Sequence, residues 1–266
     1  MSRVSHTATV LANGDVLLAG GNGLLAGNYG PMGTADLRKA ESGVIQPTGS
    51  MNTSRSGHSA TLLQDGRVLL AGGDSAKPTQ TAELYDPATG KFTSAGNMAT
   101  PRSGHSGALL PNRRVLIVGG AAGAELYDPS TNTFFPAPGV SANRCNVTAT
   151  PLADGRVLIA GREDCSNSLS DTAEIYDPST GQSTPTGKLV VAQAFATATL
   201  LPDGRVLLVG GNPSTVLAQI YDPTTGSFTF GPHLVSQYQL GGITATLLPD
   251  SSVLILGGGD DAEIYK

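Results

Sequence analysis

The side chains able to bind a metal or work as a nucleophile–base pair are few: His6, His58, His105 and His233, with Cys145 and Cys165. Three of the histidines follow an arginine at one fixed spacing, as Arg3 and His6, Arg55 and His58, and Arg102 and His105. Metal ligation would require nitrogens to converge at about 2 Å from one ion. Residues at equivalent positions of separate modules sit too far apart for that, so these histidines read as repeated loop residues making local hydrogen bonds, and His233 as a loop residue. No Cys or His metal spacing, G-x-S-x-G elbow or phosphate loop occurs. No residue is assigned a catalytic role, and no metal or cofactor is expected.

The elements that carry these residues follow from composition. With 35 Gly and 17 Pro among 266 residues, helix breakers recur every few positions and exclude long helices. A net charge of only −5 with 39% hydrophobic residues excludes disorder and leaves a turn-rich β chain able to bury a core. The mild acidity and lack of basic runs argue against nucleic acid. Apolar runs such as Val253 to Leu256 are far short of a membrane span. Met1 runs almost at once into repeat sequence, so no signal peptide is expected in this chain.

A glycine pair recurs at Gly20-Gly21, Gly72-Gly73, Gly119-Gly120, Gly210-Gly211 and Gly257-Gly258, with Ala160-Gly161 as a variant, at intervals of 41 to 52 residues. A tyrosine follows at Tyr85, Tyr127, Tyr176, Tyr221 and Tyr265, and Arg38 takes its place in the first copy. The six copies each hold four short strands, as in Ser59 to Leu63, Val68 to Ala71, Ala82 to Tyr85 and a strand around Phe92. Gln64-Asp65-Gly66 suits a tight hairpin, because Asp and Gly tolerate positive φ, and Asp86-Pro87-Ala88-Thr89-Gly90 suits a type I turn with a left-handed glycine. Each glycine pair ends a strand and leads to another strand, so none is a nucleotide fingerprint. Repeats of this length with four antiparallel strands imply an all-β, six-bladed β-propeller. The blades are expected at about 2–50, 51–98, 99–139, 140–188, 189–234 and 235–266 of one domain, the last without its outermost strand.

The glycine pairs, the Glu-Leu-Tyr-Asp segment and the Arg-x-x-His lead-in resemble kelch repeats over essentially the whole chain, and among them the bacterial type related to the galactose oxidase propeller. Phe92, Phe134 and Phe228 stand where such repeats often carry Trp. The resemblance implies that the first strand of each blade is innermost. It also implies that loops between second and third strands share a recognition face with the lead-ins. Galactose oxidase-type copper chemistry would need two tyrosines, one crosslinked to cysteine, and two converging histidines. The chain has no Tyr-His dipeptide, and its two cysteines read as bonded to each other. Some related propellers act on sugars through channel Glu and Arg, so a carbohydrate-active enzyme is the alternative.

Acidic third-strand residues precede the next lead-in arginine by 19 positions: Asp36 and Arg55, Glu83 and Arg102, Glu125 and Arg144. The arrangement predicts inter-blade ion pairs, with Glu263 and Arg3 joining the last blade to the first. The fourth-copy hairpin turns at Ala153-Asp154-Gly155, which puts Cys145 opposite about position 164 and within bridging range of Cys165. Such a bridge implies an oxidising, extracellular or periplasmic setting. Because the first and last copies begin and stop abruptly, the sequence reads as excerpted from a larger bacterial protein, with an edge strand open to another domain or chain.

Scaffold positions repeat, whereas binding positions are free to vary. The variable residues after the glycine pairs and in the longest loops are Asn22, Tyr29, Asp74, Arg162, Glu163, Asp164, Asn212, Tyr238 and Asp260. A polar rim with scattered Tyr and mixed charge suits a protein, peptide or carbohydrate ligand. The expected function is a rigid binding module; a scaffold domain without a ligand of its own is the third alternative.

Overall fold

A computed structural model describes residues 3–25, 27–140, 144–161, 169–193, 196–211, 217–234, 243–256 and 262–265. The described residues are all β, arranged in seven antiparallel sheets of three or four strands. Contacts divide the chain into two compact units, Met1–Ala137 and Pro138–Lys266.

The second copy shows the pattern. Strands Ser59–Leu62, Val68–Ala71, Thr81–Asp86 and Lys91–Asn97 pair in sequence order. Val68 to Ala71 is buried on both faces, which accounts for its uninterrupted apolar run. Copies one, three, four and five repeat the four-stranded order, and the sixth shows Thr244–Leu247, Val253–Leu256 and Ala262–Tyr265. In the first hairpin the Gly66 N–H donates to Leu63 O, and of Asp65 and Gly66 only the glycine has positive φ. The loop is therefore three residues ending in a left-handed glycine, not a turn with positive φ at both residues. The Asp86-Pro87-Ala88-Thr89-Gly90 turn forms as read, with the Gly90 N–H on Asp86 O and φ of +66°.

Sheets stack on neighbouring sheets within each unit. In the first unit, Leu17, Ala19 and Ala35 pack on Val68, Leu70 and Tyr85, and Leu69, Ala71 and Leu84 pack on Val115, Ile117 and Tyr127. In the second, Leu158, Ala160 and Ile175 meet Val206, Leu208 and Tyr221, and Leu207, Val209 and Ala218 meet Val253 and Ile255. First strands of successive sheets lie side by side in each unit, where small Ser, Thr, Ala and Gly residues allow close approach. Three of the repeated tyrosines face a phenylalanine directly across the strand pair, Tyr85 with Phe92, Tyr127 with Phe134 and Tyr221 with Phe228, at 4.9, 4.9 and 4.8 Å between ring centroids.

One element went unread in the sequence. Arg3–Val4, Asn22–Leu25 and Asn28–Pro31 form a separate three-stranded sheet from residues expected to be loop.

Candidate functional site

The lead-ins at Arg55 and Arg102 each hold two sheets together. The Arg55 N–H donates to Met32 O and its carbonyl accepts from Gly21 N, both in the first copy. Its guanidinium reaches forward to Gly72 O at 2.6 Å, Thr81 O at 3.0 Å and Glu83 Oε1 at 2.7 Å, all in the second copy. Arg102 repeats this, with backbone bonds to Thr79 and Gly73 and side-chain bonds to Gly119 O, Gly123 O and Glu125. Glu83 also accepts from the backbone N–H groups of Asn52 and Thr53. Arg55 and Glu83 are 0% and 3% exposed, and burial pulls the Arg55 guanidinium below its usual range while Glu83 opposes the shift. A buried pair of this kind survives only when its remaining donors and acceptors are satisfied.

These bonds correct the pairing expected from spacing. The pairs are Arg3 with Asp36, Arg55 with Glu83, Arg102 with Glu125 and Arg144 with Glu174, each within its own copy. Asp36 does not serve Arg55, and Glu83 does not serve Arg102. The Arg3 guanidinium is held by Asp36, Gly20 O and Thr34 O, and Glu263 lies opposite Ile255 in the last sheet. The physical reason is reach. The lead-in spends its backbone on the preceding sheet, so its side chain points into the sheet that follows.

The glycine pairs and histidines belong to the same joint. A Cβ on Gly72 would lie 2.6 Å from His105 Cε1, and one on Gly73 would lie 2.7 Å from Ser56 O. Both glycines have positive φ, so two constraints exclude a side chain there. The His58 Nε2 lies 2.9 Å from Thr7 Oγ1, and the His105 Nε2 lies 2.9 Å from Ser59 Oγ. Desolvation, aided by the adjacent Arg55 and Arg102 charges, pushes both rings down to about 3, so each is neutral.

The variable residues lie at this end of the sheets in the first unit. Asp74 exchanges backbone bonds with Ser56, and Ser103 Oγ of the next lead-in donates to its Oδ2 at 2.6 Å. Its carboxylate thus sits half-buried between two lead-ins, beneath the exposed tip Ser75-Ala76-Lys77-Pro78. The Gly104 N–H donates to Gly57 O and the Gly57 N–H to Ser5 O, through residues all at positive φ. Ser5, Gly57 and Gly104 thus form a chain of backbone bonds across the first three copies. Asn22 pairs with Val4 and Pro31 in the small sheet, where Tyr29 faces Leu24 with both side chains exposed. Arg162, Glu163, Asp164, Asn212, Tyr238 and Asp260 lie outside the described residues. Cys145 is a bonded cysteine, not a titrating thiol, and Cys165 lies outside the described residues.

Sequence reading missed Ser56 and Ser103, which fix Asp74; their signal was position, each directly after a lead-in arginine. It also missed two clefts at the opposite, hairpin end. One of about 320 Å³ is lined by Leu63, Asp65, Arg113 and Pro129, and one of about 280 Å³ by Asn13, Asp15, Lys39 and Glu41.

No family model matches the chain, and no curated protein matches it. Among solved structures it is similar to a fungal alcohol oxidase of the AA5 family in complex with copper, with a TM-score of 0.63 and 18% identity, over 97% of this chain and 70% of that one. The likeness shows the fold, an all-β, propeller-like array of antiparallel sheets. It does not extend to a copper centre in the described residues. His58 and His105 are each turned onto a hydroxyl of the neighbouring first strand, and no three His, Cys, Asp or Glu among the described residues are grouped to hold a metal.

Proposed function

We propose that the chain is a six-bladed, kelch-type propeller serving as a rigid binding module, with a protein, peptide or carbohydrate recognised by the loops at the lead-in end. The observation that carries this reading is the division of labour at that end. Repeated Arg, Glu, His and Gly are consumed in joining sheets, whereas the non-repeating Asp74 is held at the surface by Ser103 and Ser56. A fixed polar group such as Asp74 and an exposed tyrosine such as Tyr29 suit recognition with little ordering cost. The bonded Cys145 supports a bridge to Cys165 and a place outside the cytoplasm. A glycan and peptide array tests the proposal: binding to a defined class, lost when Asp74 and Arg162 are both replaced by alanine, supports it. Binding unaffected by those changes moves the site off this face.

The second reading is a carbohydrate-active enzyme, favoured by the fold shared with an alcohol oxidase. It requires a channel-facing carboxylate beside an arginine with a strongly perturbed pKa. The buried arginine–carboxylate pairs described above are instead filled by backbone partners.

A further inference from the structure

We propose that the cleft at the hairpin end of the second and third copies takes the C-terminal carboxylate of a peptide, held by Arg113. The site is separate from recognition at the lead-in end and does not depend on it.

The first hairpin of each copy holds one left-handed residue at an equivalent position: Gly14, Gly66, Arg113, Gly155, Gly204 and Ser251, with φ between +69° and +87°. Glycine adopts that conformation without steric cost, whereas a Cβ there crowds the following carbonyl. Arg113, with φ of +71°, is the one long, charged side chain in the series. An unfavourable backbone state kept by a charged residue points to a use for its side chain.

That side chain lines the cleft of about 320 Å³, together with Leu63, Gln64, Asp65, Pro129 and Ser130. The charges beside it are matched within their own copies. Asp65 accepts from Nε and Nη2 of Arg67 at 2.9 and 2.6 Å. Asp128 accepts from Arg114 Nε at 3.2 Å and from Ser130 Oγ at 2.6 Å, and the Arg114 guanidinium lies over the Phe135 ring. Arg113 is exposed and forms no ion pair among the described residues. Its guanidinium fork fits a carboxylate through two parallel N–H bonds. With the carboxylates of Asp65 and Asp128 so near, a singly charged anion suits the cleft better than a phosphate dianion, whose second charge they would repel.

The rest of the lining sets what carries that carboxylate. Gln64 is exposed, and its amide can both give and take a hydrogen bond. Pro129 and the buried Leu63 add apolar surface. Carboxylate, amide and apolar group together make up the last residue of a peptide, and the cleft is at the small end of ligand sites. A sugar acid offers hydroxyls in place of the amide and the apolar group.

Titration of the isotope-labelled full chain with N-acetyl-leucine near neutral pH, followed by backbone amide chemical shifts, tests this. Saturating shifts are expected at Gln64, Asp65, Arg113 and Ser130, with a dissociation constant on the order of 1 mM for a ligand of so few atoms. N-acetyl-leucinamide, which lacks the charge, and galacturonate should each bind at least tenfold more weakly. Arg113→Gly should weaken binding at least tenfold and leave the melting temperature equal or higher, since the turn then carries the glycine of the second, fourth and fifth copies. Arg113→Gln, which keeps the bulk without the charge, should lose binding to the same extent. The inference is overturned by the absence of saturable shifts at these residues, or by binding of the amide or of galacturonate as tight as that of N-acetyl-leucine. Binding that survives either substitution, or a melting temperature that falls in Arg113→Gly, overturns it too.

Discussion

Gln219 donates through Nε2 to Gln193 Oε1 at 2.9 Å, in the position where four other copies hold an arginine against a carboxylate. Gln219 also accepts from Val191 N, much as Glu83 accepts from the loop before Arg55. A neutral amide pair has replaced the ion pair on both sides at once, so the slot selects complementary partners within one copy.

The slot therefore responds to pairs and not to single residues. Arg102→Ala or Glu125→Ala is expected to cost about 3–5 kcal/mol by leaving a buried charge without its partner. Gln193→Arg and Gln219→Glu should each destabilise alone and largely compensate when combined. Urea unfolding of the four chains of that cycle measures the coupling, and additive effects would show that the two side chains do not act as a pair.

Glycines should separate into two classes. Gly66 has φ of +86° with open space beside it, so Gly66→Ala is expected to cost about 1–2 kcal/mol from backbone strain alone. Gly72 has φ of +63° and is roofed by His105 and Arg102 O, so Gly72→Ala should add an overpacking cost and reach roughly 3 kcal/mol or more. Thermal melts of the two variants compare them directly.

Acid should loosen the first unit. His58 and His105 are neutral in the fold, held down to about 3 by burial, while the unfolded chain takes up their protons below a pH of about 6.5. Their stabilisation is complete above that pH and falls as pH drops toward 3, by about 2 kcal/mol per histidine at pH 5. The fourth and sixth copies carry Val147 and Ile243 at this position. His105→Val should accordingly flatten the pH dependence of stability between pH 6.5 and 4, and an unchanged slope would count against neutral burial.

The two cysteines should be joined. Thiol titration of the unfolded chain is expected to find none without reductant and both after reduction, and loss of the bridge should cost about 3 kcal/mol for a loop of this length. An equal thiol count in both conditions would refute the pairing.

Strand positions were legible because the second, fourth and fifth copies alternate apolar runs with Asp-Gly and Asp-Pro turns whose chemistry is local, and the other copies align with them. The pairing of the buried arginines was not. In a repeat, an arginine is equally periodic with the carboxylate before it and the one after it, so spacing cannot choose between Asp36 and Glu83 as the partner of Arg55. The choice is made by the lead-in backbone, which bonds to Gly21 and Met32 and turns the side chain forward. The small sheet of Arg3–Val4, Asn22–Leu25 and Asn28–Pro31 escaped notice because its first strand is two residues long and its hairpin lacks alternation. Asp74 could be picked out as a residue that does not repeat, but its support by Ser103, 29 positions later, is purely tertiary.

Recognition at the lead-in end is tested most directly by titration calorimetry with a probe selected on the glycan and peptide array. Chains carrying Asp74→Ala with Tyr29→Ala would be compared with a hairpin-end control, Asp65→Ala with Arg113→Ala. The expected result is at least a tenfold loss of affinity for the first pair, about 1.4 kcal/mol, and no change for the control. Equal affinity in the first pair, or a loss confined to the control, would place the ligand at the opposite end of the sheets.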